Sequence, residues 1–398
     1  MKFLHAADLH LDSPLRAQAA RDPILGERLR EASREVLTRL VDAAIAERVD
    51  AVLLAGDTFD RDVADLASRA VLAREVGRLG RAGIRTVLIQ GNHDALLDMD
   101  RFGPVSDALT VLTPETPTLR VGEASIHGVG FAASHVSESL LPQYPAPERD
   151  RINIGLMHTS LNGAAGHDPY APAAEGDLLG HGYDYWALGH IHKRAVYRGE
   201  GRLAVMPGIP QGRHVREGHG GSATLVEIDL DGVRAREVPL QLLRFVEAEV
   251  TLAGAVSQDD RDRLIRAGLA ELAQDGVATA ARIGVSGTAA ELGDPDYLVE
   301  AVRLVAEELD GLHVERVRPV VRARDTADPE AADDLGAFMR QDATTPGFRD
   351  EVAALLAEYR DALPKEIRDV AAEDQLDALI DEGLEAMTLR LAAKGETA

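Results

Sequence analysis

Residues 51–60 read AVLLAGDTFD: five apolar residues, a glycine, then two carboxylates three positions apart. An apolar run of that length, closed by a glycine, predicts a buried strand with a tight exit into polar chemistry. The same pattern recurs on both sides. Upstream, Phe3 to Ala7 runs into Asp8 and His10. Downstream, Thr86 to Ile89 runs into Gly91-Asn92-His93-Asp94, Ile152 to Met157 into His158, and Tyr185 to Leu188 into Gly189-His190-Ile191-His192. Between the first two runs, Leu25, Leu29, Val36, Leu40, Val41, Ala44 and Ile45 recur at threes, fours and sevens. Leu66, Ala70, Val76 and Leu79 repeat that pattern between the second and third, so both intervals predict helices. Strand alternating with helix predicts an α/β layer fold in which helices cover a largely buried sheet. From Leu203 to Phe245 the text shortens into Ala223 to Leu230 and Val233 to Leu242, which predict strands completing a second sheet.

At 398 residues the chain is long enough for two or three domains. The strand-ending pattern stops near 245, which bounds a first domain at 1–245. Residues 246–321 predict a small α+β unit: strands at Ala248 to Leu252, Ala278 to Val285 and His313 to Val321, with helices at Gln258 to Ala273 and Tyr297 to Leu309 between them. A polar stretch then leads into a helical tail over 335–394. Phe348, Val352, Leu355, Leu356, Tyr359 and Leu363 form one apolar stripe of that tail, and Leu376, Ile380, Leu384, Met387 and Leu391 form a second. The net charge of −24 is uneven: residues 1–244 hold 27 basic and 33 acidic residues, and 245–398 hold 16 and 34. Such an acidic C-terminal third repels nucleic acid. The absence of cysteine excludes disulfides, thiolate metal sites and cysteine nucleophiles, so any metal rests on oxygen and imidazole nitrogen. No apolar run reaches membrane-spanning length and no secretory signal opens the chain; a soluble, cytoplasmic protein is expected.

The five strand exits carry one coherent set of ligands. In α/β layers, functional groups gather where strands end and loops converge. Aspartates are hard donors, imidazoles intermediate, and a neutral Asn oxygen completes a shell without adding charge. Two divalent ions about 3.5–4 Å apart need an anionic bridge against their repulsion, and Asp57, just after Gly56, is the natural one. The spacing of two in His190-x-His192 points both imidazoles the same way in extended backbone. Gly56, Gly91 and Gly189 permit the close or strained backbone such turns need.

The series D-x-H, G-D-x-x-D, G-N-H-D, H and G-H-x-H, in this order and spacing, resembles the calcineurin-like metallophosphoesterases. Residues 5–14 (HAADLHLDSP), 155–161 (GLMHTSL), 166–170 (GHDPY) and 182–190 (GYDYWALGH) resemble the SbcD-like DNA-repair exonucleases, above all their bacterial YhaO-type branch. Pro207-Gly208 and Gln211-Gly212-Arg213-His214 fit the same pattern. The resemblance covers about residues 1–245; beyond them only the layout agrees. It implies an α/β/β/α sandwich with a small α+β capping domain and a C-terminal helical tail. It also implies one metal on Asp8, His10, Asp57 and His192, and a second on Asp57, Asn92, His158 and His190, usually manganese. A metal-bound hydroxide would attack the phosphodiester in line, His93 would assist at the scissile phosphate, and Asp94 would hold the His93 imidazole. Position 60 departs from the pattern: several double-strand-break nucleases of the family place a histidine there, though a bacterial subset also has Asp. Asp60-Arg61 echoes the protein phosphatases too, but Asp62 and Asp94 replace the Gly and Glu those enzymes would show.

Outside the motifs, His127, His135, His181 and His219 read as loop or strand-edge histidines, and His167 and His214 as groups near the phosphate. Lys193, Arg194, Arg198, Arg202, Arg213 and Arg216 form a basic run, usually a solvated face. Beside the last ligands it reads as a phosphate track, with Arg213, His214 and Arg216 as substrate-binding residues. The function expected is a two-metal DNA nuclease, the partner of an SMC-like ATPase that the tail would grip, with a homodimer left open and no membrane contact. A small-molecule or phosphoprotein phosphoesterase and a DNA-end-binding scaffold are the alternatives.

Overall fold

Alternation along each strand decides the layering. In β1 (Lys2–Ala6), β2 (Ala51–Ala55) and β3 (Arg85–Ile89), Phe3, Leu53, Val87 and Ile89 face one apolar core, while Leu4, Val52, Leu54 and Leu88 face another. Both faces of these strands are therefore buried. These details come from a computed structural model, which describes residues 1–11, 13–15, 22–60, 66–98, 105–162, 170–273, 277–322, 341–343, 345–362, 376, 380, 383 and 384. The chain forms two compact units, Met1–Pro14 with Arg28–Arg244 and Leu15–Glu27 with Phe245–Ala398.

The first unit holds two six-stranded sheets. With β4 (Leu109–Val111), β11 (Ser222–Asp229) and β12 (Gly232–Pro239), the first runs β12-β11-β1-β2-β3-β4. With β5 (Thr118–Val121), β6 (Ala124–Gly128), β7 (Ile152–His158), β8 (Tyr185–Gly189), β9 (Ala195–Gly199) and β10 (Arg202–Met206), the second runs β5-β6-β7-β8-β10-β9. Phe3, Leu53 and Val87 of the first sheet meet Ile154, Leu156, Tyr185 and Ala187 of the second. On the far side of the first sheet, helices α1 (Pro23–Glu47) and α2 (Leu66–Arg81) bring Val36, Leu40, Ala44, Leu72, Val76 and Leu79. On the far side of the second, Met157, Trp186, Leu188 and Met206 pack with Leu178 of α3 (Glu175–Gly180). Each buried aliphatic or aromatic side chain contributes about 1.5–3 kcal/mol. A strand that places such residues on both faces is stable only when covered twice, and the four layers are the result.

β11 and β12 do not complete the second sheet as the sequence suggests. They pair antiparallel beside β1, from Lys2↔Glu227 to His5↔Thr224. Val226 and Ile228 then face the core between the sheets, while Ala223 and Leu225 face the helix-side core. Without them β1 would present an open edge. β1, β2 and β3 are parallel to one another, as are β7 and β8, so their C-terminal exits are neighbours.

In the second unit, β13 (Leu243–Thr251), β14 (Ala278–Gly287) and β15 (Leu312–Val321) form a three-stranded sheet in that order. Helices α4 (Gln258–Ala273), α5 (Ala289–Leu292) and α6 (Pro295–Glu307) connect them, with Ile265, Leu269, Leu298 and Val302 packed on Ile283 and Val285. Thr288 and Glu291 make a reciprocal cap on α5, and Asp294 caps α6 just before Pro295. Both ends thereby satisfy backbone N–H groups that a helix start leaves open. In the tail, α7 (Pro346–Ala362) turns Phe348, Val352 and Leu356 onto Leu376, Ile380 and Leu384, so these described members of the two expected stripes pack on each other; Leu355 is exposed. Of the expected tail, residues 335–340, 363–375 and 385–394 lie outside the described residues, as does His167. Among the described residues no helix is long and apolar enough to cross a membrane.

Candidate metal centre

The exits of β1 and β2 are laced together by their backbones. Asp8 N donates to Gly56 O at 3.1 Å, His10 N to Asp57 O at 3.0 Å, and Leu11 N to Thr58 O at 3.0 Å. Lacing at this pitch holds Asp8, His10 and Asp57 at φ of 56°, 42° and 50°; His190, whose backbone N–H is taken by the Asp8 carboxylate, sits at 99°. Non-glycine residues rarely adopt that region, and they persist there only where the surroundings over-determine them. The flanking glycines are forced by proximity. A Cβ on Gly56 (φ 93°) would lie 2.3 Å from His158 Nδ1, and one on Gly91 2.3 Å from Asp57 Oδ1.

These turns aim the donors at one another. Asp57 Oδ2 lies 3.3 Å from His158 Nε2 and 3.9 Å from His10 Nε2. Asp57 Oδ1 accepts the backbone N–H of His93 at 2.9 Å. Asp8 accepts the backbone N–H of His190 and lies 3.9 Å from His192 Nε2. His10 Nε2 and His192 Nε2 face each other at 3.4 Å. His158 Nδ1 is engaged by Ala55 O at 2.9 Å, which turns Nε2 inward to within 3.0 Å of Asn92 Oδ1. The His190 ring packs edge-on against that of His158, 5.2 Å between centroids. All seven residues expected as ligands thus lie in one cluster, with Asp8, His10 and His192 as one close-set group, Asp8, Asp57 and His158 as an adjoining one, and His10 shared with Asp60 and His93 in a third.

This cluster fits divalent cations. His192 Nδ1 is held by Glu217, which leaves its Nε2 lone pair pointing at His10. The 3.4 Å gap is long for a direct hydrogen bond. His10 Nδ1 is buried with no hydrogen-bond partner among the described residues. Burial alone would drive the proton off His158, yet the Asp57 and Asp8 carboxylates draw one in, lifting its pKa to about 9. Burial raises the Asp8 carboxyl; Asp57, although buried, is held below the usual range by His158 and its neighbours. Buried carboxylates that pull protons onto adjacent imidazoles are short of positive charge, and oxygen with imidazole nitrogen is a hard-to-intermediate donor set.

Around this cluster the structure redistributes the expected roles. His93, whose side chain is 32% exposed, is held through Nδ1 by Asp60 Oδ1 at 3.1 Å, and that bond raises its pKa. Ser13 Oγ donates to the other Asp60 oxygen at 2.9 Å. Asp94 does not hold His93. Its carboxylate is taken up by the backbone N–H groups of Gly91 (2.7 Å) and Thr58 (2.8 Å), which ties the exits of β2 and β3 together. Burial, with the nearby charge of Asp57, pushes its pKa up to about 7.

Arg213 is not a free phosphate contact either; it lies 3.2 Å from Glu217 Oε1 and 3.6 Å from Asp60 Oδ2. His214 Nε2 lies 3.5 Å from Glu217, and Arg216 is exposed. Glu217 is not among the residues the sequence singles out. Its one signal is its place four residues after Arg213, just beyond the family-like segment 211–214. His127 and His181 have structural partners: His127 lies within bonding distance of Thr118 and Asn153, and His181 of Pro145 O.

Comparison with known proteins agrees with this geometry. Residues 1–194 match the family described as calcineurin-like phosphoesterase. An uncharacterized metallophosphoesterase of Bacillus subtilis, YhaO, is 31% identical over 314 residues, 77% of this chain and 76% of its own length. The DNA double-strand break repair protein Mre11 of Sulfurisphaera tokodaii is 30% identical over 213 residues, 50% of this chain and 54% of that protein. The Mre11 protein of Methanopyrus kandleri is 24% identical over 306 residues, 67% of this chain and 63% of its own length. With the ligand cluster built on parallel strand exits of a four-layer α/β sandwich, this chain belongs to the calcineurin-like metallophosphoesterase family and is a metal-dependent phosphoesterase.

Proposed function

We propose that the protein is a manganese-dependent DNA phosphodiesterase, the nuclease subunit of a DNA-repair complex with an SMC-like ATPase. Asp8, His10, Asp57 and His192 would hold one cation, and Asp57, Asn92, His158 and His190 the other. Two cations so bound would neutralise phosphoryl oxygens and acidify the attacking water. The chain's own residues do the remaining work. His93 gives its proton to the leaving oxygen, and Asp60 keeps that imidazole charged and oriented. Asp94 fixes the two loops that carry Asp57 and His93.

The observation that carries this reading is the tie between bridge and acid. His93 presents a part-exposed, Asp60-held imidazole while its own backbone N–H is fastened to Asp57 Oδ1. Similarity to Mre11 proteins supports DNA as the substrate. The ATPase partnership rests on the layout of the chain: an acidic region beyond 244 with an apolar core of its own, suited to a basic partner surface and not to DNA. The test is turnover by the purified protein with manganese on single-stranded DNA, double-stranded DNA, bis-p-nitrophenyl phosphate and p-nitrophenyl phosphate. Cleavage of DNA and of the diester is expected. Turnover of the monoester alone would assign a small-molecule or phosphoprotein phosphatase instead.

A further inference from the structure

Glu217 is buried, yet it belongs to none of the strand exits that make the metal cluster. It sits in a single turn, Val215–Glu217, whose approach to residue 212 is so close that a Cβ on Gly212 would lie 2.8 Å from Glu217 O. A carboxylate buried without partners is strongly unfavourable, and this one is engaged through both oxygens. Oε1 lies 2.6 Å from His192 Nδ1 and 3.2 Å from Arg213 Nη2, and Oε2 accepts the backbone N–H of Arg213 at 2.7 Å. The chain of contacts continues from Arg213 Nη1 to Asp60 Oδ2 at 3.6 Å, and from Asp60 Oδ1 to His93 Nδ1 at 3.1 Å.

We infer that Glu217, Arg213 and Asp60 form a strut that fixes the metal-facing His192 and the phosphate-facing His93 relative to each other. Glu217 and Arg213 are then positioning residues, and Arg213 is not part of a DNA track. The inference deepens the phosphodiesterase reading and rests on it for the role of His93. A guanidinium shared between two carboxylates, its side chain only 20% exposed, cannot turn to a phosphate without releasing both. The carboxylate behind His192 fixes which ring nitrogen faces inward and strengthens that nitrogen as a donor; losing such a partner typically weakens metal binding or activity 10–100-fold.

The experiment pairs manganese titration calorimetry with steady-state kinetics on bis-p-nitrophenyl phosphate and DNA. Glu217→Ala is expected to weaken one of two manganese equivalents about 10–100-fold and leave the other near the parental value. Glu217→Gln, whose amide oxygen still accepts from the imidazole, should recover part of that loss, and it carries the test if the alanine variant does not fold. Arg213→Lys is expected to bind both equivalents, lower kcat about equally on the two substrates, and leave KM and the salt dependence of DNA cleavage near parental. Parental manganese affinity in both Glu217 variants would overturn the strut. So would an Arg213→Lys enzyme with raised KM for DNA, a shallower salt slope and unchanged turnover of the small diester. A parent that binds two equivalents but leaves DNA intact would sink the nuclease reading, while the titrations still decide the role of Glu217.

Discussion

If His93 is the proton donor proposed above, removing its imidazole leaves Asp8, Asp57, His158 and His192 in place, and His93→Ala is expected to keep the parent's metal content. Its kcat on a diester should fall about 10²–10⁴-fold, the range for a lost general acid. Metal analysis alongside kinetics checks this, and loss of a full equivalent would make His93 a ligand. A second residue sets a pH limit on the fold. His5 is fully buried between Tyr185 Oη (2.8 Å) and Leu188 O (3.0 Å), and burial lowers its pKa from 6.5 to about 3. Below pH 6.5 the unfolded chain takes up a proton that the folded chain refuses. The stability due to neutral His5 is therefore intact above pH 6.5 and is lost as pH falls towards 3, by up to about 1.4 kcal/mol per pH unit. His5→Gln keeps a donor and an acceptor but does not titrate. Its melting temperature is expected to fall less steeply than the parent's between pH 6.5 and 5; parallel curves would refute this. At this scale the seven candidate ligand positions stand out in the sequence because they cluster by type at strand exits. The Glu217–His192 and Asp60–His93 contacts do not, because they join different loops, 25 and 33 residues apart, that no spacing within a motif brings together.

The strands around the site are set by close contact between their ends. A Cβ on Gly189 would lie 2.0 Å from Ala55 O, 2.9 Å from Ala7 Cβ and 2.9 Å from His158 Nδ1. The first is backbone and the second a core methyl, so neither can step aside. Gly189→Ala is expected to destabilise the fold by at least about 1–3 kcal/mol, the range for overpacking, and to weaken metal binding by displacing His158. Gly180→Ala, at the end of α3 with nothing within 4 Å of the added methyl, should be neutral or slightly stabilising. Denaturant melts of the two variants test the contrast, and equal losses would contradict it. The strands that lead into the site could be read from sequence because they are apolar on both faces, and β11 and β12 because they are short alternating segments between turns. β4 and β5 were missed because they are three and four residues long. β6 was missed because its buried Ser125 and His127 break the apolar run; Glu148, Arg151, Thr118 and Asn153 satisfy them instead. The placement of β11 and β12 depends on which sheet has an open edge, which periodicity along the chain does not encode.

At the level of the whole chain, chemistry and charge are segregated. All seven candidate ligands lie within Met1–Pro14 and Arg28–Arg244, and residues 245–398 carry a net charge of −18. The sequence marked the change of character near 245, but it gave no sign that Leu15–Glu27 belongs with the second unit. One reason is local: Asp22 caps the start of α1 at Leu25 N and also pairs with His313 on β15, a long-range contact that no motif announces. If the proposed ATPase partner grips the tail, deleting residues 335–398 is expected to spare manganese-dependent diester cleavage while abolishing co-purification with that partner; pull-down at parental affinity would place its site elsewhere. On the function proposed above, two cations share the Asp57 carboxylate. Manganese titration calorimetry of the parent and of Asp57→Ala tests it most directly. Two equivalents in the parent and loss of tight binding of both in the variant are predicted. A parent that binds one equivalent, or a variant that retains two at parental affinity, would contradict it.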